Sequence, residues 1–362
     1  MAPSTLRRGK SEGRPATVTS VRQSAARTTG RRLLARLGQS LVVLWAAFTV
    51  SYLILFLLPG DPVAIMLNNG GEQGAVDPAQ AEALRAEYNL DKPLVVQYAI
   101  ALGKALTFDL GTSIQTGQPV TAAIAQALPL TAQLTGAAIV LAVVAGVSLA
   151  VAATYSQRRW LRNLLLSAPS LGISIPSFWL GLVLLQFLSF RHQIFPAMGS
   201  EGIKSLVLPA ITLAVPTAAT IAQVLARSLA GAWNQPYISA IRAKGLSRLG
   251  LLTRHALHNA AIPALTMTGV IVGNLLAGSV VTETVFSRDG VGRLAQASVG
   301  SQDIPVVQGV VLLAALIFVS VNLLVDLVYP LLDPRLRTQA PACTPSRSIE
   351  LALVTAQEKD IP

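Results

Sequence analysis

"LTAQLTGAAIVLAVVAGVSLAVAA", residues 130–153, is an apolar stretch of 24 residues without a single Asp, Glu, Lys or Arg. As an α-helix it would measure about 36 Å, which is enough to cross a hydrocarbon core of about 30 Å. Its interior backbone groups would then be paired within the helix. One charged side chain at the centre would cost about 2.5–3.5 kcal/mol on insertion, so their absence is informative. The stretch predicts a transmembrane helix.

Five more stretches share this composition and length. Together with the first, the six are residues 37–58, 130–153, 163–188, 206–226, 262–282 and 304–325. The sequence therefore predicts an all-α integral membrane protein with six transmembrane helices. Proline inside a helix removes a backbone donor, so kinks are expected in the third and fourth spans. The prolines concerned are Pro169, Pro176, Pro209 and Pro216.

The overall composition agrees with a membrane protein and excludes other classes. Of the 362 residues, 52% are hydrophobic and only 12% are charged, against about 25% charged in soluble domains. The net charge of +11 comes from basic residues beside apolar spans, so it predicts contact with membrane lipid and no nucleic-acid partner. Cys343 is the only cysteine, which excludes a disulfide within the chain.

The distribution of charge between the spans predicts the orientation. Residues 1–36 hold nine Lys or Arg against one Glu, and the connections 154–162 and 227–261 are basic without any acid. Residues 59–120 hold seven acids against three basic residues. The positive-inside rule therefore places both termini in the cytoplasm and makes residues 59–120 a long external loop after the first helix. The first span is too long for a signal-peptide core and lacks a small-residue cleavage site.

The domain boundaries follow from these spans. Residues 1–30 and 339–362 lack apolar periodicity and are predicted to be a disordered basic cytoplasmic arm and a disordered cytoplasmic tail. Residues 31–338 form the six-helix domain. Within its external loop, "DPAQAEALRAEYNL", residues 77–90, predicts a helix that is capped by Asp77.

A basic segment between the fourth and fifth spans raises the question of function. "YISAIRAKGLSRLGLLTRHALHNAAIP", residues 237–263, has four Lys or Arg and no acid. Its helical pattern breaks at Gly245, which predicts two short helices joined by a glycine turn. On charge alone, a cationic helix lying on anionic lipid is an equal alternative. His255 and His258 are expected to be solvated rather than metal ligands.

No catalytic, cofactor-binding or metal-binding residues are predicted. A phosphate-binding glycine loop with a Lys-Ser/Thr ending and a nucleophile–base grouping are both absent from the sequence. ATP hydrolysis by this chain and an intramembrane enzyme are therefore not expected.

Motifs along the chain resemble those of one transport family. "AIRAKGLSRLGLLTRHALHNAAIPALT", residues 240–266, is similar to the cytoplasmic loop of permease subunits of binding-protein-dependent ABC importers. Six further motifs, in the expected order, resemble the dipeptide, oligopeptide and nickel class of these permeases. They are "LLPGDP", "LDKPLVVQY", "DLGTSIQTGQPV", "SIPSFWLGL", "VFSRDGVGRL" and "DIPVVQGVVLLAALIFVSVNLLVDLVYPLLDPRLR". The resemblance departs at Ser239, where the general loop motif has Glu.

The resemblance implies an ABC importer permease (MetI-like) fold and a subunit that translocates peptides or similar small solutes across the bacterial cytoplasmic (inner) membrane. It implies four partners: a second homologous permease in a heterodimer, two ATP-binding subunits that hold ATP and Mg, and an extracytoplasmic solute-binding protein. It also makes residues 227–261 a coupling loop that docks on the ATPase. The loop residues concerned are Tyr237, Ala240, Arg242, Ala243, Lys244, Gly245, Leu246 and Pro263.

An ATP-independent secondary transporter or channel is the alternative. It would place ionisable residues at mid-membrane, whereas Glu283 and Asp326 lie at span ends, where pairing with a neighbouring Arg or water is expected. Polar residues inside the spans could line a pathway, and hydrogen bonds between helices explain them equally well. They are Asn274, Ser279 and Asn322, together with Gln186 and Gln223.

Overall fold

The computed structural model describes residues 18–57, 82–83, 85–86 and 91–332. These residues are mainly helical, with one isolated β-bridge between Thr112 and Pro119. The helices are α1 (Val18–Leu57), α2 (Leu94–Leu106), α3 (Val120–Tyr155), α4 (Arg159–Ser174), α5 (Ser177–Arg191), α6 (Lys204–Trp233), α7 (Pro236–Ala243), α8 (Arg248–Thr266), α9 (Thr268–Val285), α10 (Val291–Gly300) and α11 (Ile304–Leu332). The stretches Leu185–Arg191 of α5 and Leu251–Ala256 of α8 are π-helical.

Four helices are long and apolar enough to cross a membrane by themselves. They are Ala35–Leu55 of α1, all of α3, all of α6 and Ile304–Leu327 of α11. Two bent pairs, α4 with α5 and α8 with α9, bring the number to six when each pair is counted as one span. The chain is thus a multi-pass membrane protein, and the all-α prediction is confirmed.

The third predicted span is two helices rather than one. α4 ends at Ser174, α5 begins at Ser177, and the pair is bent by 96°. Ile175 is extended because the ring of Pro176 disfavours helical angles in the residue before it. The predicted kink is therefore confirmed at Pro176. The fifth predicted span is also divided, with a bend of 58° where α8 meets α9.

Helix α1 begins inside the arm that composition predicts to be disordered. It starts at Val18, so residues 18–30 continue the first span as helix, and no Pro interrupts them. Residues 1–17 and the tail 339–362 lie outside the described residues. Of the predicted helix 77–90, the described residues 82–83 and 85–86 are helical.

Small residues bring α3 and α6 close together. The buried side of α3 has a small or apolar residue at every fourth position, namely Leu134, Ala138, Ala142, Gly146 and Ala150. Residues 134, 138 and 142 pack against Ala210, Leu213, Ala214 and Ile221 of α6. Small residues let the two backbones approach, which is the usual source of packing energy between helices in lipid.

The two helices connect the two ends of the bundle. At one end, which we call the loop end, lie the start of α8 and residues 234–247. At the other, which we call the hairpin end, lie residues 107–119 and 286–303. Helix α3 begins at Val120, buried against Val306 of α11, and ends at Tyr155 beside Arg248.

Candidate functional site

The structure confirms the predicted glycine turn at the loop end and the short helix α7 before it, whereas the second helix is not short, because α8 continues to Thr266 inside the fifth predicted span. Pro236 occupies the first position of α7, where its missing N–H costs nothing. Gly245 has a φ of +85°, a left-handed angle that L side chains rarely adopt. Ser247 then caps α8, since its hydroxyl accepts a hydrogen bond of 3.2 Å from the backbone N–H of Gly250. The chain therefore reverses sharply between α7 and α8.

The inner face of this pair is anchored by aliphatic side chains. Ile238 of α7 is 2% exposed, and Leu251, Leu252 and Ala256 of α8 are fully buried. They form one cluster with Leu225 and Leu229 of α6 and Ala150 of α3. Burying such a side chain contributes roughly 1.5–3 kcal/mol, so the loop is fixed to both helices. Ile238 is an anchor that the sequence analysis did not single out, although its position one turn before Arg242 was readable.

The outer face of the loop is exposed and combines apolar with basic side chains. Arg242 and Lys244 carry charge, while Leu246 and Leu249 are 36% and 51% exposed. The small side chains of Ala240 and Ala243 are exposed beside them. No acid lies in residues 227–261, so the charge of this surface is entirely positive.

Two guanidinium groups lie over one tryptophan ring at the base of the loop. The Cζ atoms of Arg242 and Arg248 are 5.4 Å and 5.6 Å from the ring centroid of Trp233, the last residue of α6. Arg248 also lies 5.7 Å from the ring centroid of Tyr155 and donates a hydrogen bond of 3.4 Å to the carbonyl of Thr154. Its side chain thus contacts the ends of both α3 and α6.

Six of the predicted loop residues lie together at the tip of the loop: Ala240, Arg242, Ala243, Lys244, Gly245 and Leu246, all of them exposed. The other two lie elsewhere. Tyr237 faces back, where its hydroxyl accepts a hydrogen bond of 3.0 Å from Asn259 Nδ2. Pro263 is exposed within the last part of α8.

The predicted pathway residues lie apart along the spans. Asn274 is exposed on α9, whereas Ser279 is 2% exposed and donates its hydroxyl to the carbonyl of Leu276. Asn322 of α11 is half-buried and donates a hydrogen bond of 2.8 Å to the carbonyl of Phe318. Two of the three therefore satisfy their polar groups within their own helix.

At the hairpin end, Glu283 is fully buried and its carboxylate is saturated with donors. Oε1 accepts from the hydroxyl of Thr131 on α3 at 2.6 Å, and Oε2 accepts from the backbone N–H groups of Gly292 and Arg293 at 2.7 Å and 3.2 Å. A carboxylate at the N-terminus of α10 also suits the helix dipole. Glu283, which the sequence places at the end of a span, is thus buried and caps the N-terminus of α10.

Arg288 is buried beside this carboxylate. Its Nη1 donates to the carbonyl of Ser205 at 3.3 Å, a group whose usual helical donor is missing because Pro209 has no N–H. Burial lowers the pKa of the Arg288 guanidinium, and the charge of Glu283 opposes that shift. Arg288 therefore satisfies the Ser205 carbonyl that Pro209 leaves without a helical donor, although the buried Nε of Arg288 has no hydrogen-bond partner among the described residues.

A second buried carboxylate fixes the segment that precedes α3. Asp303, 2% exposed, accepts hydrogen bonds from the Ser113 hydroxyl and from the backbone N–H of Ile114. The other acid that the sequence placed at a span end, Asp326, pairs with Arg36 at 3.2 Å, as predicted. In the part of the chain that the structure describes, no three His, Cys, Asp or Glu form a group that could hold a metal.

Comparison with known proteins gives a consistent set of similarities. The profile of the family described as "Binding-protein-dependent transport system inner membrane component" matches residues 138–338. A protein of Brucella abortus with the provisional name of a peptide transport system permease protein is 35% identical over 313 residues, which cover 84% of this chain and 98% of the relative.

Two other relatives have more specific names. The glutathione transport system permease protein GsiC of Salmonella typhimurium is 36% identical and covers 85% of this chain and 97% of its own length. The dipeptide transport system permease protein DppB of Alkalihalophilus pseudofirmus is 33% identical, and the similarity covers 80% of this chain and 93% of the relative.

Proposed function

Because this chain belongs to the family of binding-protein-dependent transport system inner membrane components, we propose that it is the permease subunit of an ABC importer for peptides. The observation that carries the proposal is the exposed tip of the loop end, which is anchored to α3 and α6 by Ile238, Leu251 and Leu252. A transport subunit that lacks a nucleotide site must receive work through such a rigid element. The chain is a transport subunit rather than an enzyme.

The proposed cargo is a di- or oligopeptide. The names of the relatives refer to peptides, glutathione and dipeptides, all of which are short peptides or peptide-like solutes. The relatives align over 80% or more of this chain, so the similarity includes the loop end in the middle of the chain.

We propose that the tip of the loop docks on one of two ATP-binding subunits, which hold ATP and Mg. The apolar side chains of Leu246 and Leu249 would enter a groove of the ATPase, and Arg242 and Lys244 would face acids on its rim. Ser239 is exposed where the general motif has Glu, so an acid-dependent contact is missing and these basic residues carry the polar part of the interface.

The remaining partners follow from the exposed faces. A second homologous permease is implied by the family, and α11, of which little is buried within this chain, offers an apolar surface that this permease and lipid would share. A solute-binding protein is expected to deliver cargo at the hairpin end. ATP binding would close the ATPases, and the loop would turn that closure into a switch of the pathway between inward-open and outward-open states.

The orientation is part of the proposal and has its own test. In a Cys343→Ser background, Thr116→Cys and Ser239→Cys each place a thiol at an exposed position, the first at the hairpin end and the second at the loop end. In spheroplasts we expect a membrane-impermeant maleimide to label residue 116 at once and residue 239 only after permeabilisation. Labelling of residue 239 in sealed spheroplasts would overturn the orientation.

The function itself is tested at the glycine turn. No atom lies within 4 Å of a Cβ added at Gly245, so the main cost of Gly245→Val is backbone strain of roughly 1–2 kcal/mol. We expect the variant to reach the membrane in normal amount while the ATP-driven uptake of a labelled dipeptide falls sharply. Gly245→Asn is the matched control, because asparagine tolerates left-handed angles, and its uptake should stay near the wild-type rate.

The alternative of a lipid-surface helix gives a different result in the same experiment. It predicts that Gly245→Val leaves ATPase association and uptake unchanged. If the variant is abundant, co-purifies with its ATPases and imports at the original rate, the assignment of the loop is wrong.

A further inference from the structure

The end of α6 meets α7 and the start of α8 at Trp233, and Arg248 extends this meeting point to the end of α3. The aliphatic cluster beneath it holds these elements together but is not directional, since hydrophobic burial depends on area rather than on angle. The guanidinium groups of Arg242 and Arg248 add contacts of fixed geometry over the ring. The two arginines belong to α7 and α8, and the ring belongs to α6, so one side chain links three elements.

The position of Arg248 shows that these contacts offset an unfavourable charge. It is the first residue of α8, where a positive charge opposes the helix dipole. The same charge is favourable at the end of α3. Arg248 donates to the carbonyl of Thr154 in the last turn of that helix, where carbonyls lack helical donors and attract cations. The Arg248 guanidinium is therefore held at the C-terminal end of α3 by charge, by a hydrogen bond and by the faces of Trp233 and Tyr155.

Neither Arg242 nor Arg248 forms a salt bridge with a carboxylate among the described residues. The salt bridges within that part of the chain join Arg36 to Asp326 and Arg293 to Asp289. Residues 227–261 contain no acid. Arg242 and Arg248 therefore interact with aromatic rings, and Arg248 also with the end of α3, instead of with acids.

We propose that Trp233, with Arg242 and Arg248 over its ring, is the joint through which movement of the loop is transmitted to α3 and α6. This inference rests on the proposed function and goes beyond it, because it assigns positioning roles to Trp233 and Arg248, which lie outside the exposed tip. A loop that tilts without breaking these contacts must carry the ends of both helices with it. Without them, the loop can slide on its aliphatic cluster while remaining bound.

The test measures coupling rather than assembly. The complete complex of both permeases, the ATPases and the binding protein is reconstituted in liposomes, and peptide imported per ATP hydrolysed is measured. For Trp233→Leu we expect the ATPases to be retained and this ratio to fall at least about fivefold, since two cation–π contacts are lost. Trp233→Phe retains an aromatic face and should keep most of the wild-type ratio.

Arg254→Gln is the matched control in the same loop. Arg254 is exposed, and its guanidinium makes no hydrogen bond, ion pair or ring contact within the described part of the chain, so its loss should leave the ratio unchanged. Arg248→Gln should lower the ratio, and the double variant with Trp233→Leu should be no worse than the poorer single variant, because both act through one joint.

The outcomes separate the possibilities. An unchanged ratio in Trp233→Leu, or a lower yield of complexes that import normally per ATP, would mean that Trp233 only stabilises the fold and would overturn the inference. If Trp233→Leu fails to assemble, Arg248→Gln, which leaves both the aliphatic cluster and the exposed tip intact, decides by the same ratio. If the wild-type complex shows no ATP-driven import, the proposed function fails and the inference falls with it.

Discussion

The two ends of the bundle hold their turns by different physical means. At the hairpin end the polar groups are buried: Glu283 is 0% exposed, Arg288 is 1% exposed and Asp303 is 2% exposed. At the loop end Arg242 is exposed and Trp233 is half-buried. Water competes for the contacts of the loop end, so each contributes less than a buried contact but costs less to break and re-form.

This difference suggests how the two ends divide the work of a transporter. A turn that is fixed by saturated, buried carboxylates keeps one geometry, because opening it would expose unsatisfied donors. A loop that is fixed on its inner side by an aliphatic cluster and by ring contacts keeps its outer surface free for a partner. The comparison makes quantitative predictions about which contacts matter for stability and by how much.

The largest effect is expected at Glu283. Glu283→Ala would remove the acceptor of three hydrogen bonds and leave the Arg288 guanidinium buried without its counter-charge. Leaving a buried charge uncompensated in this way costs about 3–5 kcal/mol. We expect a large drop in the free energy of unfolding in detergent, measured by denaturant titration.

The control for this prediction keeps the shape of the side chain. Glu283→Gln retains one acceptor oxygen, so its loss of stability should be smaller than that of the alanine variant. If Glu283→Ala is as stable as the wild type, the hairpin end is not held by this carboxylate, and the proposed contrast between the ends is wrong.

A smaller and more local effect is expected at Asp303. Asp303→Ala would leave the Ser113 hydroxyl and the backbone N–H of Ile114 without their acceptor, at a cost of about 1–3 kcal/mol. Because these groups belong to the segment before α3, we expect that segment to open locally, which would appear as faster proteolytic cleavage within residues 107–119. Ser113→Ala removes one donor only and should show a lesser increase. Equal cleavage rates in all three proteins would contradict the prediction.

The sequence predicts the spans well because insertion in a membrane depends on local composition. Uninterrupted apolar stretches are visible without any knowledge of the fold. The small residues of α3 at every fourth position, from Ala138 to Ala150, were also readable as a packing surface and were missed. The sequence further predicts the glycine turn at Gly245, since the backbone angle there is a local property.

The prolines and the buried acids show where local reasoning ends. Pro176 coincides with a bend of 96°, whereas α6 continues past Pro209 and Pro216. One reason is Arg288, which donates to the Ser205 carbonyl that Pro209 leaves free, and this donor lies 83 residues from Ser205 in the sequence. Glu283 was expected to face water or an arginine at a span end, but its first partner is a hydroxyl 152 residues away. Such pairings depend on tertiary packing.

The smallest effect is expected for the ion pair of Arg36 and Asp326, which joins α1 to α11. The two atoms Nε and Oδ2 are 3.2 Å apart, but the side chains are 55% and 39% exposed, so solvent screening reduces the pair to about 0.2–1 kcal/mol. We expect Arg36→Gln to lower the free energy of unfolding by that amount in dilute buffer and by less in about 1 M salt, where the Debye length is about 3 Å. Asp326→Asn and the double variant complete a cycle that isolates the pair from other effects of each change. A loss that matches Glu283→Ala and does not respond to salt would mean that the pair is shielded from water by lipid. In that case the exposed fraction of a side chain within this chain would not show whether water competes for its contacts. The difference in strength between contacts would then depend on their depth in the membrane.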